Sequence, residues 1–210
     1  MSPVESLTLS STDGVELEAE LAHPTGDPTV GVVLCHPHPQ YGGTMRSIVT
    51  GALFEALPSV GALTLRFNFR GVERSTGSHD GGPGERDDAR TALRVLTDAL
   101  RSSIPVFIAG WSFGADVALS IVDPAIHAWV AIAPPLRLVA DLDAIGNDPR
   151  PKLLVLGEHD DICPSEQARI VTAGWTATTS EVIAGASHFF VGRTDRVVNA
   201  VTAFVARPRT

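Results

Sequence analysis

A chain of 210 residues with 44% hydrophobic content is long enough for one self-sufficient domain, spanning 1–210, that needs no metal or disulfide to fold. Its net charge of −8 argues against nucleic acid or an anionic membrane as partner, since both require a basic face. Two cysteines make no disulfide framework, the opening MSPVESLTLSSTDG lacks a leader's basic start and apolar run, and no apolar run reaches about 18 residues, so a cytoplasmic location is expected.

The predicted elements alternate along the chain. Residues 6–10 and 15–24 form a hairpin around Thr12-Asp13-Gly14, because Asp-Gly is a strong turn signal. VGVVLC (30–35) is a short buried strand. After HPHPQYGGTM (36–45), the pattern over 44–57 predicts an amphipathic helix capped by Thr44. Residues 62–69 are the next strand, and 84–100 has acidic residues in its first turn and apolar ones at helical spacing. A strand at 105–110, a helix at 114–122 and strands at 128–133 and 152–157 follow. A helix at 165–174, a strand at 179–185 and a helix at 194–207 complete the pattern. Short apolar strands alternating with helices predict a mostly parallel, doubly wound α/β sheet with helices on both faces. Such sheets bind ligands beyond the C-terminal ends of their strands, so the chemistry is sought there.

Gly110-Trp111-Ser112-Phe113-Gly114 fits G-x-S-x-G and falls between a strand and a helix, the context that motif requires. The bend exposes the serine hydroxyl, and the helix N-terminus behind it favours developing negative charge. A hydroxyl is a poor nucleophile at neutral pH and needs a base and an orienting acid. The strand at 152–157 runs into EHDDICP, which offers Glu158, Asp160 and Asp161. The strand at 179–185 runs into ASHFF, which offers His188. Nucleophile, acid and base then occur at three strand ends in the order serine, carboxylate, histidine.

HPHPQYGGTM, RFNFRGV, STGSHDGGPGERDDA, GWSFGA, GEHDDICP and GASHFF together resemble the α/β-hydrolases, and within them a lidless subgroup of predicted serine hydrolases or esterases. The resemblance covers nearly the whole chain. It implies an α/β-hydrolase fold with no separate lid domain, no cofactor, and catalytic Ser112, Asp160 and His188, the acid following GE-x and the base following GAS. It also implies an oxyanion hole made by the backbone N–H of Phe113 and one from the loop after 30–35. Pro37 and Pro39 have no N–H, which leaves His38, Gln40 and Tyr41. The family pattern selects His38, with Gln40 second. The prolines then stiffen the loop, and His36 is expected to hydrogen-bond backbone beneath the site. Glu73, in RGVERS, stands where family members often carry glycine, which argues against a left-handed backbone there and lets Glu73 reach the site rim.

A metal site built from His36, His38, Glu158, His159 and Asp160 is the alternative, but zinc-like ligand spacing is missing and no metal is expected. His23, His79 and His127 are expected to be ordinary loop or element-edge residues. Cys35 is expected to pack as a small hydrophobe, and neither it nor Cys163 has the strand-helix setting of Ser112. Residues 134–151 leave room for a short helix and no cap, so the site should be an open cleft. Gln40, Tyr41, Trp111 and Phe189 are its candidate substrate-binding residues. SHDGGPGE (78–85) is expected to be a mobile loop at the rim or a plain surface connection. The expected function is hydrolysis of small carboxylic esters or related acyl compounds through an acyl-enzyme, by a monomer or homodimer whose partner is a small-molecule acyl substrate. A thioesterase or small peptidase would use the same residues; a non-catalytic binding module on the same fold would not need all three.

Overall fold

The computed structural model describes residues 2–101 and 103–207. Among them, eight strands form one sheet: β1 (Val4–Ser10), β2 (Glu16–Ala22), β3 (Val30–Cys35), β4 (Ala62–Phe67), β5 (Val106–Trp111), β6 (Ile126–Ile132), β7 (Lys152–Gly157) and β8 (Thr178–Ile183). Their spatial order is β1-β2-β4-β3-β5-β6-β7-β8. The first two pairings are antiparallel, and β4-β3 onward is parallel. The hairpin sits where Asp13-Gly14 predicts it, with Gly14 at φ +85°. This is the α/β-hydrolase fold.

The all-apolar strands are buried on both faces. Along β3, Val30, Val32 and Leu34 pack with Val49, Leu53 and Phe54 of α1 (Ile48–Ala56) and Val197, Val201 and Phe204 of α6 (Thr194–Val205). Val33 and Cys35 point to the opposite layer, with Ala89, Ala92 and Leu96 of α2 (Pro83–Ala99) and Val117 of α3 (Phe113–Leu119). The period-2 alternation of a strand thus supplies both cores at once. Residues 134–151 carry only α4 (Leu142–Asn147), and α5 (Ser165–Val171) follows β7, so no lid domain stands over the C-terminal strand ends.

Element ends depart from the pattern where side chains capture backbone. The first helix starts at Ile48 rather than at 44, because the Thr44 N–H donates to Ser47 Oγ (3.0 Å) and the Met45 N–H to Asn68 Oδ1 (2.8 Å). The strand expected over 62–69 stops at Phe67, because the Phe69 N–H turns away to His36 Nε2 (3.0 Å). The helix expected to reach 122 ends at Leu119, where Ser120 Oγ donates to the Asp116 carbonyl.

The tightest approach in the fold lies at the β5–α3 turn. A Cβ on Gly110 would stand 2.1 Å from the Gly114 carbonyl oxygen, and one on Gly114 would stand 2.4 Å from the carbonyl oxygens of Cys35 and His36. These neighbours are backbone and cannot swing aside. Gly114→Ala is therefore expected to cost about 3 kcal/mol and to lower Tm by on the order of 10 °C in a thermal melt. Gly174→Ala, where a Cβ meets nothing within 4 Å, should leave Tm close to wild type. Equal melting temperatures for the two variants would contradict the close approach.

Candidate active site

Ser112 occupies the turn between β5 and α3 with φ 55° and ψ −121°, a conformation L-residues rarely adopt. Its N–H donates to the Ile132 carbonyl (2.8 Å). His188 Nε2 lies 2.9 Å from Ser112 Oγ, and His188 Nδ1 lies 2.8 Å from Asp160 Oδ2. Asp160 and His188 are buried. The other Asp160 oxygen accepts the N–H groups of Ile162 (3.0 Å) and Cys163 (2.7 Å), so the buried carboxylate keeps its hydrogen bonds. Asp161 is exposed, and Glu158 accepts the Gly185 N–H (2.7 Å); of the three candidate acids, Asp160 is the one that meets His188.

The loop after β3 is braced from inside. Burial pushes the His36 imidazole down to about 3, so it is neutral; Nε2 accepts from the Phe69 N–H and Nδ1–H donates to the Pro37 carbonyl (2.6 Å). His38 Nδ1 accepts the Gln40 N–H (3.2 Å), and burial, with the neighbouring His79, lowers the pKa of that ring too. The Tyr41 N–H donates to the His38 carbonyl (3.1 Å). Two of the three amides that follow the first histidine are thus spent within the loop.

The residues of the metal alternative are not brought together. His36 and His38 are engaged with backbone, Glu158 with Gly185, and His159 is exposed. Asp160, Cys163 and His188 do place donor atoms within 4.8 Å of one another. There Asp160 and His188 hold each other, and burial with the nearby carboxylates pushes the Cys163 thiol up to about 12, which keeps its proton on.

A model for the alpha/beta hydrolase domain matches residues 30–202. The chain belongs to the alpha/beta hydrolase family. It is similar to a serine hydrolase homologue from Coxiella burnetii (33% identity, TM-score 0.87, covering 98% of this chain and 99% of that one). It is also similar to XC6422 of Xanthomonas campestris, a serine hydrolase without lid (27% identity, TM-score 0.86, covering 100% and 98%). A further relative is the uncharacterized protein RP471 of Rickettsia prowazekii, 30% identical over 90% of this chain and 84% of that protein.

Several residues of this hydrolase stand where its sequence did not put them. Trp111, expected in the cleft, is only 5% exposed; its Nε1–H donates to the His188 carbonyl (3.2 Å) and holds the His188 loop instead. Gln40, Tyr41 and Phe189 are exposed on loops at the C-terminal edge. Glu73 is left-handed after all (φ 48°), because Asn68 Nδ2 (2.8 Å) and Arg46 Nη1 (2.9 Å) both hold its carboxylate in an ion-pair cluster with Glu18 and Glu20. It reaches into that cluster, not to the Ser112–His188 pair.

Residues 78–85 are tied down. Asp80 accepts the Gly84 N–H (2.9 Å), and buried Glu85 accepts the N–H groups of Asp80 and Gly82. His79, expected to be ordinary, packs its ring 4.9 Å from His38 and 5.5 Å from Phe113. Its Nδ1 stands 2.8 Å from Glu85 Oε1 at an angle too poor for a hydrogen bond. Asp116 was also missed. Fully buried, it accepts the N–H groups of Leu136, Arg137 and Leu138, and so fixes the loop after β6, while burial raises its pKa. The available signal was an acid four positions past Ser112 in an otherwise apolar helix.

The neutrality of His36 has a consequence for stability. Below its ordinary 6.5 the unfolded chain takes up a proton there that the folded state refuses until about pH 3, so stability falls as pH drops through that window. His36→Gln should start less stable at pH 7 yet lose less between pH 7 and 4, measured by urea midpoints. Parallel losses in the two proteins would contradict a buried neutral imidazole.

Proposed function

We propose that the protein is a serine hydrolase that cleaves small carboxylic esters or related acyl compounds through an acyl-enzyme. The observation that carries this is the hydrogen-bonded line Asp160–His188–Ser112, with both contacts under 3 Å and the acid buried. Ser112 Oγ attacks the carbonyl carbon while His188 Nε2 takes its proton. The tetrahedral intermediate collapses as His188 returns that proton to the leaving group. Water then repeats the cycle and frees Ser112. Asp160 fixes the imidazole tautomer and stabilises its cation. The charge on the former carbonyl oxygen is received by the N–H groups of Phe113 and His38. Two observations support those donors. Phe113 opens α3, where the first amides have no intrahelical acceptor. In the β3 loop, Gln40 and Tyr41 spend their amides internally and His38 does not.

Among the described residues no helix is long and apolar enough to cross a membrane, and the open mouth suits a small diffusible acyl donor with an oxygen or sulfur leaving group. Tyr41 and Phe189 are the exposed side chains best placed to touch it, with Gln40 beside them.

Ser112→Ala should abolish turnover of p-nitrophenyl acetate with Tm unchanged, because little packing is lost; retained turnover would move the nucleophile elsewhere. Asp160→Asn should cost on the order of 10⁴ in kcat, since the histidine then takes the wrong tautomer. Asp161→Asn should stay near wild type, and the reverse ranking would reassign the acid. His38→Pro, which deletes the amide donor, should cost about 10²–10³ in kcat. His38→Ala keeps the amide while losing the brace on Gln40 and the ring packing against Tyr41, His79 and Phe113, and should cost less; equal losses would give the ring itself a chemical role.

A further inference from the structure

We propose that the preferred substrates are aromatic esters whose two halves are read separately, the acyl half by Tyr41 and the alcohol half by Phe189; this rests on the serine hydrolase reading above. Tyr41 is 87% exposed and Phe189 53%, and Leu138, Ile162 and Val191 are exposed on loops of the same C-terminal edge. Apolar side chains left bare around a nucleophile with no lid above it present a surface that a substrate can cover.

The strand order assigns the sides. Ser112 follows β5, Tyr41 follows β3 on one flank, and Phe189 follows β8 on the other. Ring contacts run inward from each. Tyr41 lies 4.8 Å from His38, which lies 5.0 Å from Phe113, the residue after the nucleophile. Phe189 meets His188 edge-on at 5.4 Å. The leaving oxygen must take its proton from His188 Nε2, which puts the alcohol toward Phe189. The carbonyl oxygen faces the His38 and Phe113 amides. The remaining substituent, the acyl group, is directed away from His188, where the β3 loop presents Tyr41.

An open mouth favours rings over chains. A flexible alkyl group loses rotamer freedom on a surface that cannot enclose it, whereas a rigid ring loses little and gains stacked or edge-on contact with another ring. Each ring contact should therefore be worth about two- to tenfold in kcat/KM.

The test measures kcat/KM for ethyl acetate, benzyl acetate and ethyl phenylacetate with wild type, Tyr41→Ala, Tyr41→Phe and Phe189→Ala. Ethoxide and benzyloxide are leaving groups of similar basicity, so ratios report recognition. Wild type should favour both aromatic esters. Phe189→Ala should lower the benzyl-to-ethyl ratio about fivefold and keep the phenylacetyl-to-acetyl ratio. Tyr41→Ala should do the opposite, and Tyr41→Phe should restore it. No aromatic preference in wild type, or both ratios moving together in either variant, would overturn the proposal. Failure of a fluorophosphonate to label Ser112 in wild type would instead fall on the hydrolase reading itself.

Discussion

The approach of α3 to the ends of β3 and β5 governs the rest of the site. Gly110 and Gly114 remove the two Cβ atoms that would collide with backbone carbonyls, so the helix can begin directly behind Ser112. The serine must then adopt φ 55° and ψ −121°, which costs about 1–3 kcal/mol. The surrounding fold supplies that energy: Ser112 donates its N–H to β6, and its neighbours Trp111 and Phe113 are buried. The same contact sets the oxyanion side. The Gly114 backbone lies against the carbonyls of Cys35 and His36, so the β3 loop that carries His38 leaves the sheet beside the first amides of α3. The proposed nucleophile and the proposed oxyanion donors therefore share one packing constraint.

Without a lid, the loops around Ser112 need another source of rigidity, and buried polar groups provide it. His36 ties the β3 loop to the β4 loop, and Asp116 ties α3 to the β6 loop. Asp160 ties the β7 loop to itself. Arg70 and Asp88 make a buried multidentate pair that joins the β4 loop to α2. Each group has backbone partners, so its burial is not penalised as an unpaired charge would be, and removing one would leave several amides without acceptors. The precision that catalysis asks of an open surface comes from these bonds rather than from enclosure.

The sheet, its helices and the Ser112–His188 pairing were legible because they depend on local pattern: apolar period, glycine at a turn, chain order of the triad. The acid was open among three carboxylates on residues alone, and family resemblance selected Asp160; burial and the 2.8 Å contact with His188 agree with that choice. What the sequence hid depends on side-chain partners that lie outside the local pattern. Trp111 reads as a cleft residue until its Nε1–H is seen to bond the carbonyl of His188. Glu73 reads as right-handed until Asn68 and Arg46 hold its carboxylate. His79 reads as a loop histidine until two other segments, carrying His38 and Phe113, pack against its ring. No local periodicity encodes such contacts.

The central claim is that one strained turn presents Ser112 to His188 while two amides wait for the oxyanion. A crystal structure of the protein after inactivation by diethyl p-nitrophenyl phosphate tests it most directly. The account predicts phosphorus bonded to Ser112 Oγ, with a phosphoryl oxygen within hydrogen-bond distance of both the His38 and Phe113 N–H groups. Phosphorus on another residue, or a phosphoryl oxygen turned away from those amides, would contradict it.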